Sequence, residues 1–415
     1  MDSRNPDVTQ APSKAAGIAE FFIVVLVSAF VVTVISLMTN RMAPLWDMVY
    51  YVDMATNGIA GNRGLYAPFA YRPGAPLMIG EIAKLLGIAP QVSFRICAHI
   101  MSGAFIVSCF YFAKSLGARR RVALFTAVTL ASYFYIIKWH VFADTMVDIY
   151  CYPFILFGFW ALLQERFYTN LLISAVGLFF KEFMLLPLMT YATVLGIGRW
   201  RNQKRRLLQP FSLTLLVLLI SFILPRLLIH VAESWQDIDP MNNPRSIFRL
   251  FRYPANWKRH FNIVFAYLAW WLPVLLLMNR QRFRLAWKHL EPRKALLAVY
   301  MVFHYVLVMY GGTNIAVFVT YSLPIEIMLL TIILSYGDVP LWEQVSLFLV
   351  VVVFNRLWLN IPSPTKEWES FYDFYTGHRH LVDRASLFRM AEVTTWILGF
   401  WTVRRVVERI AQKPA

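Results

Sequence analysis

The sequence predicts an all-α polytopic membrane protein, and two observations carry that reading. Of 415 residues, 59% are hydrophobic, 16% aromatic and only 15% charged, which is more apolar surface than a water-soluble fold can bury. The apolar residues also fall in long uncharged runs, at 21–40, 122–137, 149–163, 207–225, 261–279 and 295–325. A bilayer core requires roughly 20 apolar residues per helix, so each run is a span, and the last is long enough for more than one. Shorter runs around 92–113, 167–180, 183–198, 341–355 and 390–403 bring the expected total to about twelve helices.

The basic residues orient these spans. With the N-terminus inside, the short loops 114–121, 164–167, 199–206 and 279–294 are cytoplasmic and hold sixteen Lys and Arg, against two in the opposite short loops 138–148, 181–182 and 311–314. The basic C-terminal tail then also lies inside. The net charge of +17 is therefore a topogenic signal beside anionic lipid, not the footprint of a nucleic-acid-binding protein. The first apolar run follows a polar segment and shows no small-residue cleavage site, so it is expected to be a retained span. The expected location is a bacterial inner (plasma) membrane, with both termini cytoplasmic and the active site on the outer face.

On this topology the long loops 39–91, 226–260 and 356–389 face outward. The first belongs to an N-terminal transmembrane module, residues 1–206, and the other two to a C-terminal module, residues 207–415. In "PLWDMVYYVDMATNG", Asp47, Tyr50, Tyr51 and Met54 recur at helical spacing and Gly58 suits the C-cap, so a short interfacial helix is expected. A second short helix, 75–86, carries Glu81 and Lys84 on one face. Asp47 sits among apolar neighbours, where a carboxylate costs free energy unless a partner or a function compensates. Asp53 reads as a solvated or structural acid.

The loop sequence "YYVDMATNGIAGNRGLYAPFAYRPGAPLM" resembles the first exoplasmic loop of the C-type (GT-C) glycosyltransferase superfamily, integral-membrane enzymes that use polyprenyl-phosphate sugars. The resemblance rests on Asp47, Tyr50, Tyr51, Gly64, Tyr66, Pro68, Tyr71, Pro73 and Pro76. "HVFADTMVD" is similar to a second outward acid cluster, Asp144 and Asp148, and "LFFKEFMLLP" to the family's Lys-Glu or Arg-Glu turn at Lys181 and Glu182. Together these stretches cover about the first 200 residues. The resemblance implies that Asp47 is the catalytic base and that the two short helices frame the site. Family members often carry an arginine after an outward "GG" turn, but "YGGTNIAVFVTYSLP" has Val317 and Phe318 there.

Transfer from a polyprenyl-monophosphate sugar requires a carboxylate to take the acceptor's proton and cations to stabilise the leaving phosphate. Inverting attack requires no enzyme nucleophile. Candidate donor-phosphate or acceptor contacts are Arg72 and Tyr71 in "AYRPG", Lys181 and Glu182, and the run "RSIFRLFRYPANWKRHF" with Arg245, Arg249 and Arg252 at helical spacing. That run equally describes an amphipathic helix on lipid headgroups. Lys181 and Glu182 also read as two residues snorkelling at the interface.

Asp144 and Asp148 are four apart, with His140 one turn before, so Asp47, Asp144 and Asp148 are candidate ligands for a divalent cation such as Mg or Mn. Hydrogen bonding to substrate, or for Asp148 a helix N-terminal role, accounts for the same residues. Glu326 lies inside a span, with His304 in the preceding span as its candidate partner, and such an acid also suits a secondary transporter or lipid-linked oligosaccharide flippase. Another polytopic envelope enzyme, such as a glycan polymerase or acyltransferase, is a further alternative. Cys97, Cys109 and Cys151 offer no disulfide framework, and zinc spacings, a P-loop, a dinucleotide fingerprint and a serine-hydrolase elbow are all missing from the sequence. The partners expected are a polyprenyl-phosphate sugar, a lipid, glycan or protein acceptor in the cell envelope, and membrane lipid.

Overall fold

The computed structural model describes residues 14–44, 47–60, 62, 64–200, 208–231, 233–234, 254–310, 314–361 and 384–411. Those residues are almost entirely helical, as the apolar runs predict. Five helices are long and apolar enough to cross a membrane, 15–37, 90–115, 210–228, 280–310 and 315–336, and a sixth span follows if one bent pair counts as a single crossing. Shorter apolar helices cover 148–163, 167–178, 182–194 and 341–354.

The first span, α1 (Lys14–Leu37), exposes Phe22, Leu26 and Phe30 at four-residue spacing, a stripe suited to lipid. The two short helices form where the loop predicts them: α2 (Asp47–Asn57) and α3 (Gly74–Leu86). α3 stops at Gly87, whose φ of 63° is the left-handed conformation that glycine adopts without steric cost. Pro90 opens α4 (Pro90–Ser115), because its fixed φ and missing N–H suit the first turn.

The run 122–137 departs from the expected straight span. Helix α5 (Arg120–Ala131) ends at Ser132, and the chain continues through a π-helical turn, 134–138, into the single turn α6 (Trp139–Phe142) at an angle of 62°. Lys138, in the π turn, donates to the carbonyls of Arg356, Leu357 and Leu359 beyond the end of a later helix, so the bend ties distant chain together.

α7 (Asp148–Leu163), α8 (Phe167–Leu178) and α9 (Leu185–Trp200) follow as an antiparallel meander. α10 (Leu208–Leu218) passes through a second π turn, 219–223, into α11 (Leu224–Leu228), and Tyr66–Ala67 pairs in parallel with Glu233–Ser234. Run 261–279 is broken at Trp271 into α12 (Trp257–Trp270) and α13 (Leu272–Leu277), with Pro273 in the first turn of the second. The basic loop 279–294 is itself helical, α14 (Arg280–Leu290), and runs into α15 (Lys294–Tyr310).

Run 295–325 does serve two spans. α15 takes its first half, and after α16 (Ile315–Val319) the chain enters α17 (Leu323–Tyr336). The 315–336 helix is 94% buried, against 17% for 210–228, so it is the centre of the bundle. α18 (Leu341–Phe354) and α19 (Arg384–Ala411) complete the described chain. The basic residues of α14 are partly structural: buried Arg282 donates to Glu343 at 2.6 Å and to the carbonyls of Leu277 and Gly337, and Arg404 approaches Glu343 from α19 at 3.4 Å.

Candidate active site

The site is built where α2, the "YRPG" turn and the α8–α9 turn meet. Asp47 is the first residue of α2, where a carboxylate faces unpaired backbone amides. It keeps partial solvent exposure while lying deep among protein groups. Burial pushes its carboxyl up to about 6, with nearby Asp148 adding to the rise and the charges of Arg72 and Lys181 opposing it.

The "YRPG" turn is pinned to the "FFKE" turn by a close backbone contact. Gly74 donates its N–H to the carbonyl of Phe179 at 2.8 Å, and a Cβ there would stand 2.9 Å from the Phe180 ring and 3.0 Å from the Phe179 carbonyl oxygen. Only glycine admits that approach. It brings Arg72 onto Glu182: Nε donates to Oε2 at 2.9 Å, Nη2 to Oε1 at 2.5 Å, and Nη1 reaches the hydroxyl of Tyr51 at 3.2 Å. Burial alone would raise the Glu182 carboxyl, but Arg72 and Lys181 hold it below the ordinary glutamate range. The preceding Tyr71 is buried, with the Arg226 guanidinium 5.0 Å from its ring centre.

Lys181, buried beside this pair, donates to Asp148 Oδ1, which also accepts from the Tyr321 hydroxyl at 2.9 Å. The ammonium lies 5.2 Å from the ring centre of Phe318 and 5.7 Å from that of Tyr321. The position searched for an arginine after the "GG" turn therefore supplies an aromatic wall for Lys181 instead. Tyr50 stacks on Tyr66 at 4.6 Å and on Phe69 at 5.5 Å, forming a second aromatic wall on α2.

The acids sort into two places. Asp47 and Glu182 share the field of Arg72 and Lys181, and Asp148 that of Lys181, whereas Asp144 accepts from Arg95 Nε at 3.2 Å and answers to Arg41 and His99. Burial raises the Asp144 carboxyl. The expected cation site at Asp47, Asp144 and Asp148 is not assembled, and among the described residues no group of three His, Cys, Asp or Glu is arranged to hold a metal ion. Asp148 Oδ1 is turned to Lys181 and Tyr321, and Asp144 Oδ2 to Arg95, so the two carboxylates face different cations. His140 turns Nδ1 back to the Ile136 carbonyl at 2.5 Å.

Arg245, Arg249 and Arg252 lie outside the described residues. Glu326 is fully buried in α17, facing the Tyr133 hydroxyl and, among the described residues, no cation. The expected partnership with His304 does not form, because that ring bonds the Tyr267 hydroxyl at 2.5 Å and the Phe318 carbonyl at 3.0 Å. Sequence reasoning missed Tyr321, Arg95 and Arg41 as contributors. Tyr321 lies 173 residues from the carboxylate it bonds, and no local pattern announces such a pairing.

No protein-family model, curated protein or solved structure matches this chain.

Proposed function

We propose that the chain is a membrane glycosyltransferase of the C type, moving a sugar from a polyprenyl-phosphate donor to a lipid, glycan or protein acceptor at the outer face of a bacterial inner membrane. The observation that supports this most is Asp47, a partly exposed residue whose carboxyl burial raises to about 6, beside two buried cations. Five or six membrane-crossing helices among the described residues are consistent with a helical membrane enzyme.

In this reading Asp47 takes the proton from the acceptor hydroxyl as that oxygen attacks the anomeric carbon. The bond from the anomeric carbon to the phosphate oxygen breaks, the electron pair leaves with the polyprenyl phosphate, and the sugar's configuration inverts. Arg72 and Lys181 stabilise the leaving charge. Both are already fixed by carboxylates, so the phosphate joins cations whose positions are set in advance.

Purified protein given a panel of radiolabelled polyprenyl-phosphate sugars with envelope extract tests the reading, through transfer by wild type and its loss in Asp47→Asn. Glu326 favours one other reading, a proton-coupled carrier of lipid-linked substrate, since a buried acid inside a span with no cation among the described residues to pair it is a functional group by default. That alternative predicts no donor turnover, and substrate movement in proteoliposomes that depends on Glu326→Gln and not on Asp47→Asn.

A further inference from the structure

The outward-predicted end of the α1–α4 seam holds a cluster that the transfer step does not use. Ser36 of α1 meets His99 Nε2 of α4 at 3.0 Å, and His99 Nδ1 bonds the Arg95 carbonyl at 2.8 Å, so the ring locks the two helices together. One turn before His99, Arg95 presents Nε to buried Asp144. That contact occupies one edge of the guanidinium. Both Nη atoms make no hydrogen bond with any described residue, and the side chain is 41% exposed. Arg41, just past α1, is exposed, bears on the same carboxylate and makes no hydrogen bond with a described residue. Two guanidinium charges thus converge on a single carboxylate, leaving a positive excess with a free two-pronged donor edge.

The surroundings decide what kind of anion fits. On α4 the residues beside Arg95 and His99, namely Val92, Ile96 and Ile100, are exposed at four-residue spacing. Leu37 and Met38, next to Ser36 on α1, are also exposed, Leu37 at 83%. Both helices are candidate spans, so these side chains face hydrocarbon and the arginines stand where it ends. A soluble anion gains nothing from such a surface, whereas a lipid places apolar chains on it and a phosphate at its rim.

We propose that Arg41 and Arg95 hold the phosphate of an anionic phospholipid whose chains lie along the α1–α4 seam, with Arg95 gripping it through both Nη atoms. The site is separate from Asp47 and does not depend on the transferase reading.

The test is retention of phosphatidylglycerol by the full chain in neutral detergent, read by native mass spectrometry without any sugar donor. Wild type is expected to keep bound lipid, Arg95→Gln to lose about tenfold in retention and Arg41→Gln several-fold. Arg120→Gln, at the opposite end of α4 and α5, is expected to behave as wild type. Arg41→Gln keeps the test valid if Arg95→Gln unfolds by stranding Asp144. Arg95→Lys keeps the charge but loses the fork, and is expected to fall between wild type and Arg95→Gln. Equal retention in wild type and Arg41→Gln overturns the proposal, as does displacement of the lipid by millimolar inorganic phosphate, which would mark a soluble-anion site. Because no transfer is measured, loss of the transferase reading leaves this result standing.

Discussion

Arg72 meets Glu182 through two hydrogen bonds, 2.9 and 2.5 Å, across 110 residues of chain. The pair does more than join the "YRPG" and "FFKE" turns. It fixes a buried guanidinium beside Asp47, where burial raises the Asp47 carboxyl to about 6 against the opposing pull of Arg72 and Lys181. A base poised near the working pH follows from that balance.

The balance sets the pH profile. Transfer is expected to rise with pH through about 6 as Asp47 ionises and to level off above it. In Glu182→Gln, Arg72 acts on Asp47 uncompensated, and the rising limb is expected to move to lower pH. Rate against pH for the two proteins checks this, and a limb that stays put in Glu182→Gln contradicts it.

Stability should respond to these two acids in opposite senses. The folded-state carboxyl of Glu182 lies below its ordinary 4.5, so its contribution is present above that pH and is lost as pH falls through the lower folded value. Asp47 is raised from 3.8 to about 6, so its stabilising contribution is present below 3.8 and is lost as pH rises through 6. Asp47→Asn is therefore expected to be more stable than wild type at pH 8, by about 1 to 2 kcal/mol once partial exposure is discounted. Thermal unfolding in detergent at pH 5 and pH 8 measures the difference.

Lys181 and Asp148 are buried together, so removing one strands the other. Lys181→Met is expected to destabilise by about 3 to 5 kcal/mol, and Lys181→Met with Asp148→Asn to recover much of that loss. A double-mutant cycle on unfolding midpoints gives the coupling. Additive losses contradict the pairing.

Gly74→Ala places a methyl 2.9 Å from the Phe180 ring and 3.0 Å from a backbone oxygen. The expected cost is about 1 to 3 kcal/mol, with transfer falling further because the Arg72–Glu182 pair is displaced. Comparing the unfolding midpoint with the transfer rate in one preparation separates the two effects.

Much of this architecture is legible in the sequence because it is local. Helical spacing from Asp47 to Met54 predicts α2, proline and glycine mark the ends of α3 and the start of α4, and apolar runs foretell the spans. The bend after Ala131 is not legible, since it depends on Lys138 capping chain more than 200 residues away. Nor does the sequence reveal that Arg72 and Lys181, read as cations awaiting phosphate, each hold a carboxylate. Tyr321 and Phe318 enter the site only because the central helix is packed against α7 and the α8–α9 turn, a long-range arrangement that periodicity does not encode.

The central claim is that Asp47 is the base for sugar transfer, and the most direct measurement is transfer of radiolabelled sugar from polyprenyl phosphate by purified wild type and Asp47→Asn. The account predicts that Asp47→Asn loses transfer by at least about a hundredfold while its unfolding midpoint stays at or above that of wild type. Undiminished transfer by a folded Asp47→Asn protein would contradict it.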